Sequence, residues 1–382
     1  MIAWLLAATL ATSSASPAAS PAASADPSPP APSAAPAGAA PQVAPAPEVV
    51  PLPEQVMELP PALLAALQTS VIDRSPRGLG RLERLVDFMY QPDGLDVHYR
   101  YDANNTVAEV WETRQANCLS FTLLTIALAR AAGIDAYGQE IARTLSWYAE
   151  GETLYFSNHV NAGIRIGASE YTVDVGSDSV MTRDPPRRVD DARLMAVYYS
   201  NRAAGLLAEG ANEAAGRFID AAIEADPDYA TAWSNAGVLK LRIEDPAAAE
   251  AAFLKALELD RLHDGALMNL ATLYTTRGDH RSAEQYRKRL EQMRKRNPYH
   301  VFLLAVEAER RDDYEAAARQ YRRAISLYGD EHRFHFGLAR ALLHLGDARG
   351  AGRALQRAHE LSDGDTQIRY AAKLDVLRRM GP

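Results

Sequence analysis

Trp233-Ser234-Asn235-Ala236-Gly237-Val238-Leu239-Lys240, then the turn Glu244-Asp245-Pro246, then Ala249, Phe253 and Ala256, form one period of a pattern that recurs every 34 residues. Ala215, Ala249, Ala283, Ala317 and Ala351 are spaced by 34. A second series reads Ala203, Gly237, Ala271, Ala305 and Ala339, and a third reads Ala222, Ala256, Leu290, Ala324 and Ala358. Self-similarity of this length marks a solenoid, in which each unit buries its apolar face against its neighbours. The first two series mark two different helices of each unit, where small side chains let the helix backbones approach closely. Turn signals at Glu209-Gly210, Glu244-Asp245-Pro246, Arg277-Gly278-Asp279, Arg311-Asp312-Asp313 and Leu345-Gly346-Asp347 punctuate the pairs. The C-terminal half therefore reads as an all-α array of helix-turn-helix units.

These residues resemble the tetratricopeptide repeat family. Trp233, Gly237, Ala249, Phe253 and Ala256 stand at its spacing in the second unit, as do Ala203, Ala215, Ala222 and Pro227 in the first. The resemblance implies five repeats over residues 196–365, a capping helix over 366–382, and a groove that takes a protein or peptide partner. Arg287 and Lys240 depart from the pattern, and each weakens one local contact without breaking the period. His263, His280, His300, His332, His335, His344 and His359 show no metal-ligand spacing. Nothing in the chain calls for a metal or a cofactor.

Working back toward the N-terminus, the next informative stretch surrounds Cys118, the sole cysteine of the chain. Thr106 with Glu109 is a capping-box signature, so a short helix is predicted from Thr106 to before Ala116. A second helix then begins with Asn117 as N-cap and Cys118 in its first turn, runs through Leu123, Leu124, Ile126, Ala127, Leu128 and Ala131, and stops at Gly133. The unpaired N–H groups and positive dipole end of a helix stabilise a thiolate, the nucleophilic form of cysteine. The same groups hold the developing oxyanion of a tetrahedral intermediate.

Further on, Asn158-His159-Val160-Asn161-Ala162-Gly163-Ile164-Arg165-Ile166 alternates, Gly167-Ala168-Ser169-Glu170 turns, and Tyr171-Thr172-Val173-Asp174-Val175 alternates again, the pattern of a β-hairpin. Val160, Ala162, Ile164 and Ile166, with Tyr171, Val173 and Val175, are expected on its buried face. Period-2 parity puts His159 and Asp174 together on the opposite, polar face. There Asp174 can orient the His159 imidazole, which can act as base toward Cys118. Singly, a cysteine on an apolar helix is core packing and a histidine in a strand is a satisfied surface or core residue; the conjunction of the three is what points to chemistry. His98, in Asp96-Val97-His98-Tyr99-Arg100-Tyr101, is the rival base, without a following carboxylate in the same order.

Asn117-Cys118-Leu119-Ser120, Asn158-His159-Val160 and Val173-Asp174 together resemble the transglutaminase-like superfamily of papain-type thiol proteins. The resemblance covers residues 62–195 and implies an α+β domain, with a helical subdomain packed on an antiparallel sheet. It also implies Cys118 as nucleophile, His159 as general base and Asp174 as orienting carboxylate. Leu119 stands where true transglutaminases usually carry Trp, which argues against protein crosslinking. The activity so implied is a thiol hydrolase or acyltransferase, working through a Cys118 thioester on a peptide or amide substrate that the repeats recruit. Some relatives act instead as non-catalytic binding modules, so the alternative is an adaptor with a degenerate thiol domain.

The remaining sequence sets the context. Met1-Ile2-Ala3-Trp4-Leu5-Leu6-Ala7-Ala8-Thr9-Leu10-Ala11 is an apolar run followed by small residues, expected to be a signal peptide over 1–18, too short for the ~20 residues of a membrane span. No cysteine follows it to carry a lipid anchor. Residues 19–61, rich in Ala, Pro and Ser, are expected to form a disordered linker, and residues 13–55 to be dispensable for folding, so that a chain starting near Val56 keeps its melting temperature. The expected product is a periplasmic or secreted protein with no stable membrane insertion after signal cleavage. A net charge of −8 gives no basic excess for nucleic acid. A lone cysteine in an oxidising compartment has no disulfide partner within the chain, which leaves a buried thiol, an intermolecular bridge or a nucleophile.

Overall fold

The structure, a computed structural model, describes residues 49–150, 153–174, 180–181 and 185–380, which lie within one compact unit, Glu48–Pro382. The expected signal peptide, most of the expected linker, and Val175 lie outside the described residues. No helix among the described residues is long and apolar enough to cross a membrane.

Five helices open the chain: α1 (Pro53–Val56), α2 (Pro61–Leu67, continued by a π turn over Gln68–Ile72), α3 (Leu79–Tyr90), α4 (Val107–Thr113) and α5 (Cys118–Ala131). The Thr106 side chain accepts from the Glu109 amide and the Glu109 carboxylate accepts from the Thr106 amide, so both halves of the capping box are made. Every residue from Leu119 to Ala129 is buried, which makes α5 a core helix apolar on all sides. Gly133, at φ 75°, takes the left-handed conformation that ends it.

Beside these helices lie a short parallel pair, β1 (His98–Tyr99) with β2 (Gln115–Ala116), and a five-stranded antiparallel sheet. The sheet holds β3 (Asp135–Glu150), β4 (Thr153–Ile166), β5 (Ser169–Val173), β6 (Val180–Met181) and β7 (Arg187–Val189). Its order is β5-β4-β3-β6, with β7 also pairing with β3. The β4–β5 hairpin pairs Ala162 with Val173 and turns at Gly167. The β3–β4 ladder runs from Asp135 opposite Arg165 to Ile141 opposite His159, then shifts register before Ser146 meets Ser157. Such irregularities bend a strand and re-aim its side chains, and this one begins where β4 reaches His159.

Five helix pairs follow: α6 (Asp191–Glu209) with α7 (Asn212–Ala225), α8 (Ala230–Arg242) with α9 (Pro246–Leu259), α10 (Asp264–Thr276) with α11 (His280–Arg296), α12 (Pro298–Arg310) with α13 (Tyr314–Leu327), and α14 (His332–His344) with α15 (Ala348–Glu360), closed by α16 (Gly364–Met380). All fifteen residues of the three small-residue series are buried. A Cβ added at Gly237 would come within 2.4 Å of the Phe253 ring, so the helix pair closes only over a glycine. Asp245, Asp279, Asp313 and Asp347, again 34 apart, accept at the N-cap from the amide three residues on. Where Arg287 replaces the expected aromatic, Tyr286 stacks on Tyr274 with centroids 5.6 Å apart, and the guanidinium reaches Thr275 Oγ1 at 2.6 Å.

Three expectations need correction. The linker expected to run to residue 61 ends sooner: Val56 is 0% exposed and Tyr199 donates to the Pro51 carbonyl at 2.8 Å. The domain boundary expected at 195 falls inside α6, and a single apolar core runs from Val56 through α5 and the sheet to Phe218, Ile219 and Ala232 of the first repeats. The face of β4 opposite the one expected to be buried is enclosed as well, for His159 is 2% exposed and Asn161 is buried beside it, as are Val160 and Ala162 on the other face.

Candidate functional site

Cys118 is the first residue of α5, and local hydrogen bonds fix the start of that helix on both sides. Asn117 Oδ1 accepts from the Ser120 amide at 2.9 Å, and the Asn117 amide donates to the Ala103 carbonyl at 3.0 Å. The Ser120 hydroxyl donates to the same carbonyl at 2.9 Å and accepts from the Asn105 amide at 2.7 Å. One turn on, Thr122 Oγ1 donates to the Cys118 carbonyl at 2.7 Å and lies 3.2 Å from that of Val160, tying the helix to β4 next to His159. The residues after Cys118 are buried, whereas Cys118 itself is partly exposed.

The structure brings the other two predicted residues together: His159 Nε2 stands 2.6 Å from Asp174 Oδ2. Asp174 follows β5 directly, opposite Asn161 in the continued register and diagonal to His159, on one face of the hairpin. Burial pulls the imidazole pKa down, but hydrogen bonds to Asp174 and Cys118, with the charges of both, outweigh it and raise it to about 9. Nε2 faces the carboxylate. The result is a buried imidazole paired with a carboxylate, which favours its protonated form.

Tyr90, at the end of α3, donates from its hydroxyl to the Asp174 backbone carbonyl at 3.1 Å, and its ring packs 5.3 Å from that of Phe121 on α5. Burial, then the charge of Asp174, push its phenol well above the ordinary value, so it remains a donor. Sequence reading missed this contact, since nothing local links Tyr90 to a residue 84 positions away. It also passed over Asn161, whose buried Oδ1 has no hydrogen-bond partner among the described residues. The rival base, His98, lies apart in β1, largely exposed, with Nε2 3.2 Å from Asp96 Oδ2. No cluster of metal-ligating side chains occurs among the described residues.

The C-terminal array, with paired helices in 34-residue register and small residues at each crossing, is a helical solenoid of tetratricopeptide-like kind. The tetratricopeptide repeat family model matches residues 302–366, and the coatomer epsilon subunit model matches residues 206–322. No curated protein matches the chain. Among solved structures, one described as a functional characterization of Pseudomonas aeruginosa pilF is 17% identical, spans 49% of this chain and 93% of its own, and has a TM-score of 0.27. YrrB, described as a TPR protein with an unusual peptide-binding site, is 20% identical over 47% of this chain and 92% of its own, with a TM-score of 0.25. MamA from Desulfovibrio magneticus RS-1 is 18% identical over 44% of this chain and 94% of its own, also with a TM-score of 0.25.

Proposed function

We propose that the chain is an exported, periplasmic or secreted thiol hydrolase or acyltransferase of transglutaminase-like type, whose repeats bind the protein or peptide on which it acts. The observation that supports this reading is the buried His159 imidazole 2.6 Å from the Asp174 carboxylate, with a partly exposed cysteine as the first residue of α5. In the reaction the Cys118 sulfur, its proton already carried by the His159 ring, attacks an amide carbonyl carbon as the thiolate. The amides of Cys118 and Leu119, in the first turn of α5, serve as donors to the oxyanion in this reading. The C–N bond then breaks, the amine leaves with the proton from His159, and a thioester remains. Water or a second amine gives its proton back to the imidazole, attacks the thioester carbon and frees the thiol. Asp174 holds the ring in the productive tautomer and balances its charge throughout.

A second reading, a protein-binding adaptor whose thiol domain does no chemistry, is favoured by the position of both matching family models within the repeats and by the burial of His159. Alkylation separates the two. Because Cys118 is the only cysteine, mass spectrometry of the intact protein reads its modification by iodoacetamide without ambiguity. His159→Ala should slow the reaction at pH 7 by roughly tenfold or more, and Cys118→Ser should take up no label. Equal rates for wild type and His159→Ala across pH 6–9 would leave the adaptor as the function.

A further inference from the structure

Asp174 has a backbone hold that strand pairing does not supply. The ladder of β5 with β4 ends at Val173 opposite Ala162, and Asp174 stands one residue beyond it. There the Tyr90 hydroxyl donates to the Asp174 carbonyl at 3.1 Å. The end of α3 that carries Tyr90 is itself clamped. The Leu95 amide donates to the Phe88 carbonyl at 2.7 Å, and the Val97 amide to the Met89 carbonyl at 3.1 Å. A Cβ added at Gly94 would stand 2.1 Å from the Phe88 oxygen, so this return of the chain closes only over a glycine. Leu85, Phe88 and Met89 anchor the helix in the core, and Thr125 on α5 donates to Met89 Sδ at 3.8 Å.

The ring of Tyr90 makes the second half of the link. Its centroid lies 5.3 Å from that of Phe121, three residues after Cys118 on α5. One side chain therefore spans the two elements that carry the cysteine and the carboxylate, and that carboxylate lies 2.6 Å from His159 Nε2. A hydrogen bond that short between ionisable groups tolerates little drift of either partner. A reacting constellation works only while its supporting contacts hold it, because a displacement of about 1 Å is enough to cost rate. We infer that Tyr90 is the positioning residue of the His159–Asp174 pair, its hydroxyl fixing the Asp174 peptide and its ring fixing that peptide relative to α5. The role deepens the thiol reading above and rests on it for any effect on reactivity. A phenol that only filled space would contribute stability alone, whereas a positioning one sets how firmly His159 keeps its proton.

Tyr90→Phe in the full chain keeps the ring on Phe121 and removes one donor. Tyr199→Phe is the matched control, since it deletes the same kind of bond, to the Pro51 carbonyl. Two readouts apply: the titration of the His159 ring by proton–carbon NMR, with His159→Ala giving the assignment, and the alkylation of Cys118 by iodoacetamide against pH. In Tyr90→Phe the His159 titration should fall by roughly half a pH unit or more, about threefold in the proton equilibrium, and alkylation at pH 7 should slow by roughly threefold. Tyr199→Phe should shift neither. A His159 titration in Tyr90→Phe that matches wild type overturns the proposal. So does an equal shift in Tyr199→Phe, which would mean general loosening of the core. Equal alkylation of wild type and His159→Ala across pH 6–9 overturns the thiol reading alone, and the His159 titration still decides whether Tyr90 holds the pair.

Discussion

Replacing Asp174 by Asn tests the electrostatics of the site directly, because the carboxylate is lost while shape and burial are kept. His159 titrates at about 9 in the folded protein, against an unperturbed value of about 6.5 that serves for the unfolded chain. A histidine raised on folding contributes stability that is fully present below about pH 6.5 and is lost as pH rises through about 9. Between those limits the native state holds a proton that the unfolded state has released, so stability falls by roughly 1.4 kcal/mol per pH unit, a total of roughly 3 kcal/mol. The ring is almost completely buried, so solvent does little to dilute the effect. In Asp174→Asn the burial that lowers the pKa is no longer outweighed, and this dependence should largely vanish. Urea unfolding at half-unit steps from pH 6 to pH 10, followed by far-ultraviolet circular dichroism, gives the two curves. Their difference should be largest near pH 6 and shrink by roughly 3 kcal/mol by pH 9.5. Parallel curves over that range would refute the reasoning, and would mean that Asp174 does not hold the imidazolium.

Gly337→Ala places a Cβ 2.4 Å from the ring of the fully buried Tyr321, whose hydroxyl donates to Glu309 at 2.7 Å and holds the ring in place; thermal unfolding should show a loss of about 1–3 kcal/mol. Glu244 sits at φ 60° in a series otherwise occupied by Gly210, Gly278, Gly346 and Asp312, so Glu244→Gly should raise stability by about 1 kcal/mol in the same assay. A chain that begins at residue 49 should keep the melting temperature of the full protein. One that begins at residue 57 loses Val56 from the core and the Tyr199–Pro51 hydrogen bond, and should be roughly 2–4 kcal/mol less stable.

The repeats were legible because each unit solves the same packing problem with its neighbour, so the solution is written five times at a fixed interval. Ala249 alone says little; Ala249 with Ala215, Ala283, Ala317 and Ala351 defines a helix crossing. The start of α5 was legible for a different reason, since Asn117, Cys118 and Gly133 act through bonds to residues a few positions away. The hairpin parity also placed His159 and Asp174 on one face. What local sequence does not contain is what lies over that face. The pairing of β3 with β4, its shift after Ile141, and the reach of Tyr90 to Asp174 join residues far apart in the chain. For the same reason the proline-rich composition ahead of residue 61 concealed Val56, one apolar residue that joins a core built from residues far away in the chain.

The unbroken core from the N-terminal α/β region into the first two repeats limits how this protein can be recombined. A splice at the sequence-suggested border would cut α6 and strip Leu194, Tyr198 and Phe218 from the interior of both pieces. Because the buried cluster of Ala249, Phe253 and Leu257 with Leu267, Leu270 and Leu290 also spans the loop of residues 260–263, anyone grafting a foreign repeat array onto the N-terminal region should keep α6 to α11 with it and join at Asn297, ahead of the separate cluster that begins at Tyr299. Everything before that junction is inherited as a single block, and interchangeable parts begin only after it.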